Sequence, residues 1–281
     1  MDVSAALSLP IAEVPLAFVD VETTGLYAGW GDRICEVAVV VCRGEEELCR
    51  FVSLVNPGRP ISAGASAVNG LSDAQVRDAP SFSAVAGEVW AALAAGLPVA
   101  HNAPFDLSFL APELAGAGYA PPADGAIDTL ALARRLLPPW QRCGLPALAA
   151  HFGIVAPGGA HRALADALTT RELLRRLLKR ARLPRRTTLA DVFELTGGPT
   201  GWPRESGRVE ADLPAELAGA LAASRDVTIV YVASNGQQTR RVVRLKNSYV
   251  AGGSTYLVGY CHLRQEERTF RLDRITGWEL T

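Results

Sequence analysis

Between Leu16 and Glu22 the chain reads Leu-Ala-Phe-Val-Asp-Val-Glu, an apolar strand that ends on two carboxylates. Side chains two apart on a strand share a face, so Asp20 and Glu22 project together while Val19 and Val21 point the other way. Side by side at the end of such a strand, the two acids repel each other and lose solvation. Either the strand end opens to water, or a hard cation that prefers carboxylate oxygens holds the pair together. Any fold for this chain has to supply one of those two environments.

The neighbouring pattern supplies a sheet. After Leu16–Val21, strand-like runs recur at Ile34–Cys42 and Glu47–Val55. The stretch from Asn56 to Pro80, rich in Pro, Gly, Ser and Asn, reads as a loop. A helical pattern over Ser83–Ala95 precedes a short buried strand, Pro98–His101, and then a helix with Pro104, Phe105 and Asp106 in its first turn. A short strand at Ala126–Asp128 leads into Leu130–Leu137, and helices are expected at Leu145–Phe152 and from Arg162 to about Arg182. Strands first, then alternating helix and strand, predict an α/β fold with a mixed sheet covered by helices.

Composition changes after that. Residues 183–211 carry paired Arg, Gly-Gly-Pro and Gly-Trp-Pro, and read as a linker holding at most one short helix, Leu189–Leu195. A helical stretch, Leu213–Ser224, then precedes strand-like runs at Val227–Val232, Thr239–Leu245, Tyr256–His262 and Arg268–Leu272, with a last strand near Trp278. Asn235-Gly236 between two of them is a hairpin signal. The expected organisation is a domain over 1–182, a linker over 183–211 and a small all-β module over 212–281.

With 28 Lys+Arg against 29 Asp+Glu, the chain has no basic field to attract a polyanion. Phosphate contacts would have to come from local clusters or bound metal. The cysteines (Cys35, Cys42, Cys49, Cys143, Cys261) are odd in number and form no CxxC pair, which argues against a zinc site or a disulfide framework. Cys35, Cys42 and Cys49 are expected to be small buried hydrophobes. No apolar run reaches membrane-spanning length and the start shows no basic leader, so a cytoplasmic location without membrane contact is the expectation.

Other acids have ordinary readings when taken singly. Asp106, in His101-Asn102-Ala103-Pro104-Phe105-Asp106, suits a first helical turn through the helix dipole. His161 and Asp166, in His161-Arg162-Ala163-Leu164-Ala165-Asp166, read as a surface histidine and a solvated helical acid, or as a histidine overhanging the helix start. Asp128 sits where a helix N-cap is needed, and Glu36 lies within a strand and receives no catalytic role. Arg171, Arg175, Arg176, Lys179, Arg180 and Arg182 form either a solvated helix face or a nucleic-acid tract.

Together, Phe-Val-Asp-Val-Glu-Thr-Thr-Gly-Leu (18–26), His-Asn-Ala-Pro-Phe-Asp (101–106) and His-Arg-Ala-Leu-Ala-Asp (161–166) resemble the DEDDh exonuclease superfamily, in particular the proofreading epsilon subunit of bacterial DNA polymerase III and its relatives. Asn56-Pro57, Asn69-Gly70-Leu71 and Ala79-Pro80-Ser81-Phe82 resemble that group as well. The resemblance implies a ribonuclease-H-like, five-stranded mixed sheet with helices on both faces. It also implies a two-metal 3′→5′ exonuclease that releases nucleoside monophosphates in DNA replication or repair. Two Mg²⁺ or Mn²⁺ are implied, with Asp20, Glu22 and Asp166 on the first, Asp20 bridging to the second, and Asp106 supporting that second site. His161 would be the general base. Thr23, Thr24, Gly25, Leu26, His101, Asn102 and Phe105 would line the substrate, although Leu26 and Phe105 are equally readable as core residues. The implied partner is a nucleic-acid 3′ end, single-stranded DNA before RNA. An RNA-trimming or oligonucleotide exoribonuclease is the rival enzyme.

Tyr256-Leu257-Val258-Gly259-Tyr260-Cys261 and Arg268-Thr269-Phe270-Arg271-Leu272-Asp273-Arg274-Ile275 resemble the core of a WYL domain, with Thr255 in place of the name-giving Trp. The resemblance implies a small Sm-like barrel in which Tyr260, Arg268, Arg271 and Arg274 are candidates for holding a nucleotide or single-stranded ligand. An exposed Arg/Asp ladder would account for the same residues. If this module were the working end, the chain would be a non-catalytic nucleic-acid-sensing regulator.

Overall fold

The computed structural model describes residues 3–155, 161–182, 184, 186–203, 213–233, 236–251 and 254–280. They fall into two compact units, 1–204 and 205–281.

The first unit is built on a sheet of five strands: β1 (Leu16–Thr23), β2 (Ile34–Arg43), β3 (Glu46–Leu54), β4 (Leu97–Ala100) and β5 (Ile127–Asp128), ordered β3-β2-β1-β4-β5. β1, β2 and β3 pair antiparallel, and β4 and β5 continue the sheet parallel to β1. Its helices are α1 (Val3–Ala6), α2 (Ala63–Asn69), α3 (Asp73–Val76), α4 (Phe82–Ala94), α5 (Ala103–Gly116), α6 (Thr129–Leu136), α7 (Leu145–Phe152), α8 (Ala163–Arg180) and α9 (Leu189–Thr196). Strand alternation divides the core in two. Val19, Val21, Val37, Val39 and Val41 pack with α4 and α5 on one face. Leu16, Phe18, Ala38, Val40, Leu97 and Val99 pack with α6, α7, α8 and α9 on the other. The period of two therefore puts Asp20 and Glu22 on the α8 face, where the apolar row of Leu16 and Phe18 gives out.

Three expectations are corrected. The stretch 56–80 holds two short helices, set by local capping rather than by an apolar stripe. Ser62 Oγ accepts from Ala65 N–H at 3.1 Å, Gly70 closes α2 at φ 70°, and Ser72 N–H donates to Gln75 Oε1 at 2.9 Å. Much of the expected linker belongs to the first unit. Leu189, Val192 and Phe193 on α9 are buried in the α8-side core, Ile11 N–H donates to the Thr187 carbonyl at 2.8 Å, and Ala126 and Thr200 exchange 2.9 Å bonds. The apolar spacing i, i+3, i+4 on α9 outweighs the Gly and Pro signals around it. Cys49 is exposed, because it lies on the edge strand β3; Cys35, Cys42 and Cys261 are buried and Cys143 is half-buried.

The second unit packs α10 (Ala215–Ala222) on an antiparallel sheet of β6 (Asp226–Val232), β7 (Gln238–Ala251), β8 (Ser254–Cys261), β9 (Glu266–Arg271) and β10 (Ile275–Leu280), in the order β10-β6-β7-β8-β9. The last strand thus lies beside the first, and among the described residues no ladder joins β9 to β10. Leu217, Ile229, Val243, Leu257 and Phe270 fill its core. Gly259 is required where β8 passes β7, since a Cβ there would collide with the Arg244 carbonyl. Asn235 of the expected hairpin turn lies outside the described residues, while β6 and β7 pair antiparallel up to Val232 and Gln238.

Candidate active site

On β1, Asp20 lies opposite Ala38 and Glu22 opposite Glu36 of β2. Asp166, in the first turn of α8, joins Asp20 and Glu22 from the helix on this face of the sheet. Carboxylate oxygens of Asp20, Glu22 and Asp166 come within 4.8 Å of one another, and all three residues are half-buried. Asp106 reaches the same strand from α5. Where the parallel ladder of β1 with β4 stops at Phe18 and Val99, the Val21 N–H donates instead to Asp106 Oδ1 at 3.1 Å. Asp106 is buried at 3% exposure, beyond the three-acid cluster but close enough to be the largest electrostatic perturbation on Asp20.

The acids raise one another. Burial, then the charges of Asp106, Glu22, Asp166 and Glu36, hold the Asp20 carboxyl well above the usual range. Burial, then Asp166 and Glu36, push Glu22 up to about 7, against the pull of Arg162 and Asn69. Burial also raises Asp106 and Asp166, the latter opposed by a hydrogen bond from the His161 backbone. A cluster that cannot ionise fully without help, made only of carboxylate oxygens, fits a hard divalent cation. His161 is exposed at the mouth with φ 63°, and its N–H donates to Asp166 Oδ2 at 3.2 Å.

The Exonuclease family model matches residues 17–174. The chain belongs to the exonuclease family. A WYL domain model matches residues 212–280. A DNA polymerase III subunit epsilon-like protein of Rhodobacter capsulatus is 35% identical over 195 residues, which is 68% of this chain and 27% of that protein. The 3'-5' exonuclease DinG of Bacillus subtilis is 33% identical over 178 residues, 63% of this chain and 19% of that protein. Among solved structures, Exonuclease X in complex with 5' overhanging duplex DNA superposes with TM-score 0.50 at 31% identity, covering 63% of this chain and 98% of that one. The chain thus spans less than a third of the two curated relatives.

Around the exonuclease cluster the structure shows supports that the sequence did not single out. Glu36, 3% exposed, accepts from Arg162 Nη2 at 2.7 Å and Nε at 3.0 Å and from the Ala163 N–H at 3.1 Å. It thereby fixes the start of α8 and the spacing of His161 and Asp166 from β2. Asn69, also buried, donates to the Thr23 carbonyl at 3.3 Å and ties α2 to the end of β1. Neither role leaves a periodic signal, since Glu36 meets its partners 126 and 127 residues away.

The turn after β1 is held by Asp32. Thr24 Oγ1 donates to Asp32 Oδ1 at 3.1 Å, Tyr27 N–H to Oδ2 at 3.2 Å, and Arg59 pairs with the same carboxylate at 3.2 Å. Thr23 Oγ1 donates to the Gly25 carbonyl, and a Cβ on Gly25 would collide with Asp32. Leu26 at the tip is 66% exposed, outside the core. Asn102 caps α5 at φ 71°, and Phe105 packs half-buried on Phe109, ring centroids 5.1 Å apart. His101, expected at the substrate, braces two elements: Nε2 donates to the Cys143 carbonyl at 2.8 Å and Nδ1 meets Thr129 Oγ1 at 2.9 Å. Asp128 caps α6 as its position suggested, accepting from Leu130 N–H at 2.8 Å.

On the basic face of α8, Arg175 pairs with Glu45 and Glu172 and Arg176 with Glu172, while Arg171 donates to the Glu45 carbonyl at 2.8 Å. In the WYL domain, Arg271 pairs with Asp273 and Tyr260 Oη donates to Gln265 at 3.1 Å. Arg268 lies opposite Gly259 in the β8–β9 ladder, and Arg274 is half-buried in the turn before β10.

Proposed function

We propose that the chain is a metal-dependent 3′→5′ exonuclease that shortens single-stranded nucleic-acid ends, DNA in preference to RNA, and releases nucleoside monophosphates. The observation that carries this reading is the convergence of Asp20, Glu22 and Asp166 within 4.8 Å at the end of one strand, with Asp106 buried beside them. The names of the relatives support the polarity, and the duplex DNA of Exonuclease X supports the polymer.

In this reading Asp20, Glu22 and Asp166 would hold one Mg²⁺ or Mn²⁺, and Asp20 with Asp106 would serve a second. Bound there, such ions would supply the Lewis acidity that lowers the pKa of the attacking water and the positive charge that answers the leaving 3′ oxygen. His161, exposed at the mouth, takes the water's proton. Glu36 and Arg162 keep His161 and Asp166 in register, and the turn from Thr23 to Leu26 bears on the terminal nucleotide, beside Asn102 and Phe105. The WYL domain adds a second ligand-binding element, for a nucleotide or a single strand, with Tyr260, Arg268, Arg271 and Arg274 as contacts.

The test is digestion of matched 5′-labelled DNA and RNA oligomers in Mg²⁺ or Mn²⁺. The expected product is a ladder descending one nucleotide at a time from the 3′ end, faster on DNA, and lost in Asp20→Ala. Near-normal turnover by Asp20→Ala, or an intact substrate with the unaltered chain, would refute the assignment.

A further inference from the structure

We propose that the loop between α6 and α7, residues 137–144, is a second contact surface for the substrate strand, with Trp140 stacking on a base upstream of the 3′-terminal nucleotide. The proposal rests on the nuclease reading of the cage and extends it to the strand behind the scissile bond.

Trp140 is 83% exposed, which is unusual for the largest apolar side chain. It does not ride on a loose segment. Leu137 and Leu145 are buried at the two ends of the loop, Pro138 and Pro139 fix two φ angles, and Gln141 N–H closes a turn on the Pro138 carbonyl at 2.9 Å. The far end is held by His101, whose Nε2 donates to the Cys143 carbonyl. Because a carbonyl only accepts, that nitrogen carries a proton, and burial lowers the pKa of the ring. His101 directly precedes Asn102 and α5, whose first turn carries Asp106. The brace thus ties the Trp140 loop to the element that supports the cage.

Charge selects the occupant. From Thr129 to Ala165 the sequence contains no Asp or Glu, within a chain whose acids outnumber its bases. Arg134, Arg135 and Arg142 are exposed within that run, and among the described residues no ion pair engages them. An exposed indole in a run whose exposed arginines carry no ion pair among the described residues offers a base a stacking face and a phosphate its counter-charge. That is the chemistry by which single strands are held without sequence preference.

The decisive measurement is binding without turnover. In the Asp20→Ala background, the affinity for a fluorescein-labelled dT10 is compared with and without Trp140→Ala, and with Trp140→Phe. Stacking predicts at least about fivefold weaker binding for the alanine variant and recovery of most of that loss by phenylalanine. An rU10 arm tells whether the surface distinguishes RNA from DNA. Equal dT10 affinities in variants with unchanged melting would overturn the proposal. Hydrolysis of the p-nitrophenyl ester of thymidine 5′-monophosphate, too short to reach the loop, should be the same in the unaltered chain and in Trp140→Ala. A slowed ester in Trp140→Ala would also overturn it. If the unaltered chain leaves the matched DNA and RNA oligomers intact, the nuclease reading fails while the dT10 comparison still decides whether the loop binds a strand.

Discussion

Metal binding to the cage should be proton-linked, and the structure sets both the direction and the size. In the metal-free protein Glu22 titrates at about 7, and Asp20, Asp106 and Asp166 are raised as well. Raised carboxyl pKa values mean that the folded chain keeps protons which the unfolded chain has already released. Their contribution to stability is therefore full below the ordinary carboxylate range and is lost as pH climbs through about 7. A cation has to displace those protons, so its apparent affinity must rise over the same window. For Glu22 alone, the ionised fraction goes from roughly 9% at pH 6 to roughly 91% at pH 8, a factor of about ten in affinity. Displacement of protons from the raised Asp20 carboxyl adds to that factor. Calorimetric titration of the chelator-stripped protein with Mn²⁺ at pH 6, 7 and 8, in buffers of different ionisation enthalpy, reads both quantities. We expect at least about tenfold tighter binding at pH 8 than at pH 6, with proton release that shrinks as pH rises. Thermal melts should show the metal-free protein losing stability from pH 6 to pH 8 and Mn²⁺ restoring it. An affinity that stays constant across this range with no proton released would show that the carboxylates are already ionised, and the electrostatic account of the cage would be wrong.

Two further predictions concern the residues that hold the cage in place. Glu36→Gln removes the charge that Arg162 answers and leaves one good acceptor where several donors converge; kcat should fall about tenfold or more with KM little changed, together with a loss of about 1–3 kcal/mol of stability, and unchanged kcat in steady-state assays would show that this contact does not set the His161 and Asp166 register. Gly25→Ala pushes on the Asp32 carboxylate that fixes the turn; it should raise KM for oligonucleotides several-fold while Mn²⁺ affinity measured by calorimetry stays the same, and a loss of metal binding instead would mean that the turn supports the cage directly.

Where sequence and structure agree, the signal was local. Alternation in β1 alone predicts that Asp20 and Glu22 share a face, and the apolar runs of β2 and β4 suffice to place that strand inside a sheet. Asp128 reveals itself as a cap because capping acts over two residues. What stayed hidden depends on distance or on length. Glu36 looks like an acid stranded in an apolar strand until Arg162 arrives from the far end of the domain. His101 resembles a substrate contact because it opens the motif with Asp106, and only the fold shows its nitrogens occupied, Nδ1 by Thr129 at the start of α6 and Nε2 by Cys143 of the 137–144 loop. α9 is short and flanked by Gly and Pro, so its three core residues were outvoted by their surroundings.

The electrostatics of the whole chain pose a problem that the site resolves. A protein with slightly more acid than base, and with acids gathered around one cleft, should repel a polyanion from the place where it must be cut. The raised carboxyl groups show that without a cation the cleft already suppresses part of that charge by keeping protons. A divalent cation held by Asp20, Glu22 and Asp166 would exchange those protons for positive charge at the same oxygens, so the ion that would supply the chemistry would also reverse the local field. That reversal is confined to the cleft, because charge is screened within about 8 Å in physiological salt. Nucleotides further along the strand need their own attraction, and the acid-free run from Thr129 to Ala165, which carries exposed arginines and the exposed Trp140, is where the chain offers it.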